Sequence, residues 1–222
     1  MTTLVHGEGP DAAGVARLTL QRPDKRNALS IALRDQMSDA LDALVADSAC
    51  RVVVITGAGD VFSAGFDLDE FTHPELADEL WGSSDRWHRT ILQFPLPTVA
   101  AVNGSAYGGG FDLAVMCDVR VAAEGAKLGH PEHSFSQVVY GPLHDLVGGA
   151  VARDLALTGR RIDAAEAHAL GLVSRVVAKD DVLDAAVTVA TEIAAAPRDV
   201  LEQMKAKILR RAGIEPGATL DL

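Results

Sequence analysis

The chain has 222 residues, 48% hydrophobic and 23% charged, the make-up of one globular unit with enough mass to bury a core. A formal net charge of −11 disfavours nucleic acid or an anionic membrane surface as partner, so an anionic ligand needs a local basic patch. No run approaches the ~20 apolar residues of a bilayer crossing; MTTLVHGEGPDAAG lacks the charge and apolar pattern of an export signal, and Cys50 and Cys117 have no metal-site spacing, which predicts a cytoplasmic protein with reduced thiols.

Residues 1–14 carry glycine and aspartate without apolar periodicity and are expected to be irregular or a frayed edge. Val15–Leu20 alternates apolar and polar, as a half-buried strand does. The turn from Arg22 to Asn27 holds three cations (Arg22, Lys25, Arg26), and on composition alone it is a solvated loop. Ser30 suits a helix N-cap, and Leu33, Met37, Leu41 and Leu44 follow at helical spacing as a core stripe. Arg51–Thr56 is a continuous apolar run and predicts a strand covered on both faces. Residues 69–90 are acidic, carry Phe71, Trp81 and Trp87, and are expected to be helical. Thr98–Val102 is a strand, too short and too closely flanked by glycine for a helix, and Phe111–Cys117 suffices for about two helical turns. Strands are expected at 118–123 and Lys127–Gly129, and a helix from near Pro142. Leu155–Leu170 and Asp180–Ala196 show Ala-rich helical periodicity on either side of a short strand, Leu172–Val177. Pro197 interrupts, Arg198–Arg211 is a last helix, and GIEPGATLDL reads as a frayed tail.

Chemistry first shows itself in the glycines Gly108, Gly109 and Gly110, where strand passes to helix. The first amides of a helix have no intrahelical partner and lie at the positive end of its dipole. The stretch VVVITGAGDVFSAGFDL (52–68) repeats the grammar: apolar strand, glycine turn, then a helix-compatible segment. Two such turns can each aim one backbone N–H at one oxygen, the requirement of an oxyanion hole.

Four stretches in order, QRPDKRNAL (21–29), VFSAGFDL (61–68), AAVNGSAYGGGFDLAVMCDVRVAA (100–123) and LGHPE (128–132), resemble the enoyl-CoA hydratase/isomerase (crotonase) superfamily. ALTGRRIDAAEAHALGLVSRVV (156–177) extends the resemblance, which runs from about Val15 to about Pro197. It implies an α/β fold, a spiral of ββα units, with residues 1–196 as the acyl-CoA-binding core and 197–222 as a shortened C-terminal helix and tail. It further implies that the Phe66 and Gly109 amides hold a thioester oxygen, within a substrate-binding set of Ala64, Gly65, Phe66, Asp67, Leu68, Gly108 and Gly109. Arg22, Lys25 and Arg26 map to the loop that meets the adenosine phosphates and base of coenzyme A, and residues 69–90 to the roof of the acyl pocket, with Trp81 and Trp87 as candidate walls. The catalytic acids map to Asp112 and Glu132. The implied reaction adds water to a trans-2-enoyl-CoA through a thioester enolate, with no metal and no cofactor beyond the CoA thioester itself, in a homotrimer or dimer of trimers. Isomerisation, decarboxylation, thioester hydrolysis, or acyl-CoA binding without turnover would use the same hole.

The sequence departs from the family's pattern at three places. Asp112 stands where hydratases carry glutamate, and its carboxylate falls back by roughly 1.5 Å, one carbon–carbon bond. The family's P-G-x-G-G-T stretch is replaced by SQVVYGPLHDLVGG, near which lie His130, His133, Tyr140, His144 and Asp145. His130 and His133 flank Glu132 and are placed to set its pKa, while Asp145 reads as a polar surface residue, although acyl-CoA dehalogenases of the family place a catalytic aspartate hereabouts. Relatives usually continue beyond the position of Leu222, which implies a reduced subunit interface, and Lys205, Lys207, Arg210 and Arg211 read as a solvated helix face. Ser105 has no Ser/His/Asp constellation of the kind that peptidases of the same spiral fold use.

Overall fold

The computed structural model describes residues 2–214; residues 215–222, most of the expected tail, lie outside the described residues. In chain order the elements are β1 (Val5–Glu8), β2 (Val15–Leu20), α1 (Ile31–Ala46), β3 (Val52–Gly57), α2 (Ala77–Leu92), β4 (Thr98–Val102), β5 (Ala106–Tyr107) and α3 (Gly109–Met116). Then follow β6 (Val119–Ala123), β7 (Lys127–Gly129), α4 (Gly141–Thr158), β8 (Ile162–Asp163), α5 (Ala164–Ala169), β9 (Arg175–Val177), α6 (Val182–Ala194) and α7 (Arg198–Ala212).

Among the described residues the strands form a six-stranded sheet, β1-β2-β3-β4-β6-β9, and a three-stranded sheet, β5-β7-β8. In the larger sheet β1 is antiparallel to β2 and every later pairing is parallel. Each pass of the chain lays one strand in the large sheet, one short extended piece beside it, and then a helix. Thus β4, β5 and α3 follow one another, β6 and β7 repeat the first two steps, and isolated parallel bridges, Leu29 to Phe66 and Ser63 to Ala106, supply the short piece in the earlier passes. This is the spiral of ββα units that the motif order implied.

Every residue of β3 and β4 is buried, because α6 packs across one face of the central strands and the spiral's inner turns cover the other. The α1 stripe of Leu33, Met37, Leu41 and Leu44 is buried as its spacing required, and the Leu33 amide donates to Ser30 Oγ at 3.3 Å. Helix α7 is tied to the sheet through Lys205, whose ammonium donates to both carboxylate oxygens of Asp118 at 2.6 Å. Asp118 also accepts from the Thr98 amide at 2.8 Å, so one carboxylate joins α7 to the starts of β4 and β6. Arg198 donates to the carbonyls of Val45, Asp47 and Cys50, where α1 ends.

Four expectations are corrected. Residues 5–8 form a strand, because pairing with β2 supplies the hydrogen bonds that local pattern did not announce. Leu155–Leu170 is two helices, broken at Gly159, with β8 between them paired antiparallel to β7. Trp87 is fully buried, its Nε1 donating to Met37 Sδ at 3.3 Å, so it belongs to the core and is not on the lining of the cavity that Trp81 meets. Lys205 is 3% exposed and ion-paired, not part of a solvated face.

Candidate active site

The two glycine turns meet at the head of α3. Gly65 has φ +91, and a Cβ there would lie 2.8 Å from the Tyr107 carbonyl oxygen and 3.3 Å from the Gly109 amide nitrogen. Gly108 has φ +52 and ψ −130, a conformation that lets α3 start at Gly109 while the Gly108 amide donates to the Gly129 carbonyl at 3.0 Å. A side chain at Gly108 would fill the space of the Glu132 carboxylate, whose Oε1 lies 3.1 Å from that Cβ position. Among the described residues neither the Phe66 nor the Gly109 amide donates to a protein acceptor. Their donors are therefore available to one incoming oxygen, with a carboxyl group beside it.

These groups open into a cavity of about 580 Å³. Ala64, Gly65, Phe66, Leu68, Gly108, Gly109, Asp112 and Glu132 line it, as does Trp81. Sequence reasoning missed the far wall, Phe135 to Val139; an aromatic residue in the polar run after Glu132 was the available signal, and Phe135 is 72% exposed. Among the described residues the charged side chains on the lining are Asp112 and Glu132 alone.

The two acids have different neighbours. Burial pushes the Glu132 carboxyl above its ordinary value and Asp112 adds to the effect, with His130 opposing it. Asp112 Oδ1 accepts a hydrogen bond at 2.7 Å from His130 Nε2, and His130 is almost wholly buried. Burial by itself pulls the His130 imidazole down, but the charge and hydrogen bond of Asp112, with Glu132 behind them, leave it above its ordinary value. His130 thus faces Asp112, not only the neighbouring Glu132 that sequence adjacency suggested.

Other predicted site residues lie apart from the cavity. Arg22 pairs with Asp67 at 2.9 Å and donates to the Ala28 carbonyl at 2.6 Å, so these two strap the loop together and neither lines the cavity. Lys25 is exposed and pairs with Asp69 at 3.2 Å; Arg26 is exposed at a left-handed backbone position, φ 51. His133 packs over Gly159, His144 lies against Tyr140, and Asp145 is exposed; none of them lines the cavity. Ser105 Oγ accepts from the Lys127 amide. Among the described residues no cluster of three His, Cys, Asp or Glu side chains is placed to hold a metal, and no helix is long and apolar enough to cross a membrane.

Comparison with known proteins gives this geometry relatives. The family described as enoyl-CoA hydratase/isomerase matches residues 11–219. A "probable enoyl-CoA hydratase" of Rhizobium meliloti is 42% identical over 203 residues, covering 87% of this chain and 75% of that protein. The "2,3-dehydroadipyl-CoA hydratase" of Escherichia coli is 39% identical over 185 residues, covering 81% of this chain and 72% of that one. Among solved structures, an enoyl-CoA hydratase from Bacillus anthracis superposes with a TM-score of 0.89 at 32% identity, covering 96% of this chain and 85% of the other.

Proposed function

The chain belongs to the enoyl-CoA hydratase/isomerase family, and from that premise we propose that this hydratase-like enzyme adds water to a trans-2-enoyl-CoA at the cavity above α3. The observation that carries the reading is the convergence of two undonated amides and two acids with different surroundings on one cavity.

The Phe66 and Gly109 amides receive the thioester oxygen, which gains negative charge when water attacks the β-carbon. Loss of one such donor typically costs ~2.7–4 kcal/mol of transition-state stabilisation. Asp112 orients the water and takes its proton as the oxygen–carbon bond forms. The double-bond electrons move onto the thioester oxygen as an enolate. Glu132, kept protonated to higher pH by burial, gives its proton to the α-carbon as the enolate collapses. The product leaves with the water's hydroxyl on the β-carbon and the Glu132 proton on the α-carbon. The water's other proton, held by Asp112, passes through solvent to Glu132 and resets both acids.

The apolar wall, Leu68, Phe71, Trp81, Phe135 and Val139, receives the acyl chain. Arg26 and Lys25, whose pair with Asp69 is exposed, are the cations assigned to the adenosine phosphates, since Arg22 is held by the mostly buried Asp67. No cofactor besides the CoA thioester is part of the proposal, which extends to a soluble cytoplasmic homotrimer or dimer of trimers. The test is loss of the enoyl-thioester absorbance with short- and medium-chain trans-2-enoyl-CoAs, run beside D112N and E132Q. Rapid loss in the wild type and its abolition in both variants is expected. Tight binding of the same esters without turnover would replace the hydratase reading with that of an acyl-CoA-binding protein.

A further inference from the structure

Asp112 reaches the cavity from α3, yet what fixes its carboxylate lies behind the cavity wall. His130 Nε2 donates to Oδ1 at 2.7 Å, while among the described residues Oδ2 accepts no hydrogen bond. Asp112 lines the cavity and His130 does not. The imidazole is 1% exposed, and its Nδ1 has no hydrogen-bond partner among the described residues, so its polar contact in the fold is Asp112. Burying an imidazole with one nitrogen unsatisfied is costly, and an aliphatic side chain against the Phe111 ring, 4.9 Å from the imidazole centroid, would fill the space without that cost. The ring does something for Asp112 that packing alone does not need.

We infer that His130 is a positioning residue for hydration: it clamps Oδ1 of the shortened acid and so leaves Oδ2 as the oxygen presented to water. The inference rests on the reading of Asp112 as the water-side acid. An imidazole carried on the turn after β7 thus reaches a carboxylate carried on α3. That turn also carries Glu132 two residues on, so the clamp and the second acid stand on one short segment.

Charge gives the clamp a second consequence. His130 faces Asp112 from α3 and Glu132 from its own turn; Asp112 in addition faces His88 of α2, and Glu132 faces His133. A cationic His130 balances the Asp112 charge and spares Glu132 part of the repulsion between the carboxylates. Without it Glu132 loses an opposing cation, and the limb of the pH–rate profile that Glu132 governs moves to higher pH.

The experiment compares H130Q, which keeps a donor and loses the charge, with H130L, which loses both. H130L is expected to lower kcat by about 10²-fold with little change in KM. H130Q should recover at least about tenfold of that loss, with the limb that Glu132 governs displaced upward. Independently of turnover, the imidazole ¹⁵N signals of His130 should titrate above the ordinary histidine value in the wild type and at lower pH in D112N. Variants matching the wild type in kcat and pH profile, or a His130 titration unmoved by D112N, would overturn the inference. Wild-type protein inactive on every enoyl-CoA would remove the hydratase reading, while the titration would still decide the clamp.

Discussion

Substitution of Gly65 by alanine probes the contact between the two donor turns without removing any side chain from the cavity. The new Cβ would sit 2.8 Å from the Tyr107 carbonyl oxygen, where ordinary contact begins at 3.4 Å, and both neighbours are backbone. The turns must therefore open by about 0.6 Å, and the left-handed φ of +91 adds a strain of about 1–2 kcal/mol for a residue with a Cβ. The opening separates the Phe66 amide from the Gly109 amide, the pair assigned to one oxygen. A misplacement near 1 Å costs about 10²-fold in rate, and loss of one donor costs about 10²–10³. G65A should accordingly lower kcat on a short trans-2-enoyl-CoA by about 10²-fold and destabilise the fold by about 1–3 kcal/mol. The assay pairs the absorbance decay of the enoyl thioester with thermal unfolding followed by circular dichroism, at a temperature where the variant is folded. A folded G65A protein with kcat within about threefold of wild type would refute the assignment of these two amides to one oxyanion.

Glu132 and the basic loop give two further tests. The Glu132 pKa is raised above its ordinary 4.5 by burial, so its contribution to stability is full below the unfolded value and is lost as pH rises through the folded one. E132Q removes that loss: its melting temperature should exceed that of wild type near neutral pH, and the gain should vanish as pH falls to about 4, which a series of melts at stepped pH would read. In the basic loop, Arg22→Ala breaks the pair with the mostly buried Asp67 and should cost about 2 kcal/mol, between the values for surface and buried pairs, or about 5 °C in Tm. Arg26→Asn tolerates the left-handed backbone and should leave Tm unchanged while raising KM for CoA thioesters and not for pantetheine thioesters. An equal KM change for both would remove Arg26 from the phosphate contact.

What local pattern announces, the structure contains: the Val15–Leu20 strand, the Ser30 cap with its stripe, and the buried run before Gly57 all depend on neighbours within a turn or a strand. The glycine turns were equally legible, because few residues other than glycine adopt the backbone of Gly65 or Gly108. Illegible features depended on partners far along the chain. Val5–Glu8 becomes a strand through its pairing with β2, and Ile162–Asp163 interrupts an Ala-rich run through its pairing with β7. Trp81 and Trp87 share one helix, but six residues place them on different faces, one towards the cavity and one against Met37. Sequence adjacency couples His130 to Glu132, while its hydrogen bond goes to Asp112, eighteen residues earlier.

The Lys205–Asp118 pair bears on how the last helix and the central strands hold together. Asp118 stands between two central strands, and the ammonium that neutralises it arrives 87 residues later. Without α7 docked, that carboxylate keeps the Thr98 amide and hydroxyl and the nearby Arg120 guanidinium but loses the ammonium. A partly buried carboxylate that loses its partner costs an amount between those of surface and buried ion pairs. The packing of α7 and the seating of β4 beside β6 therefore depend on one another, and whatever loosens the helix loosens the start of both strands.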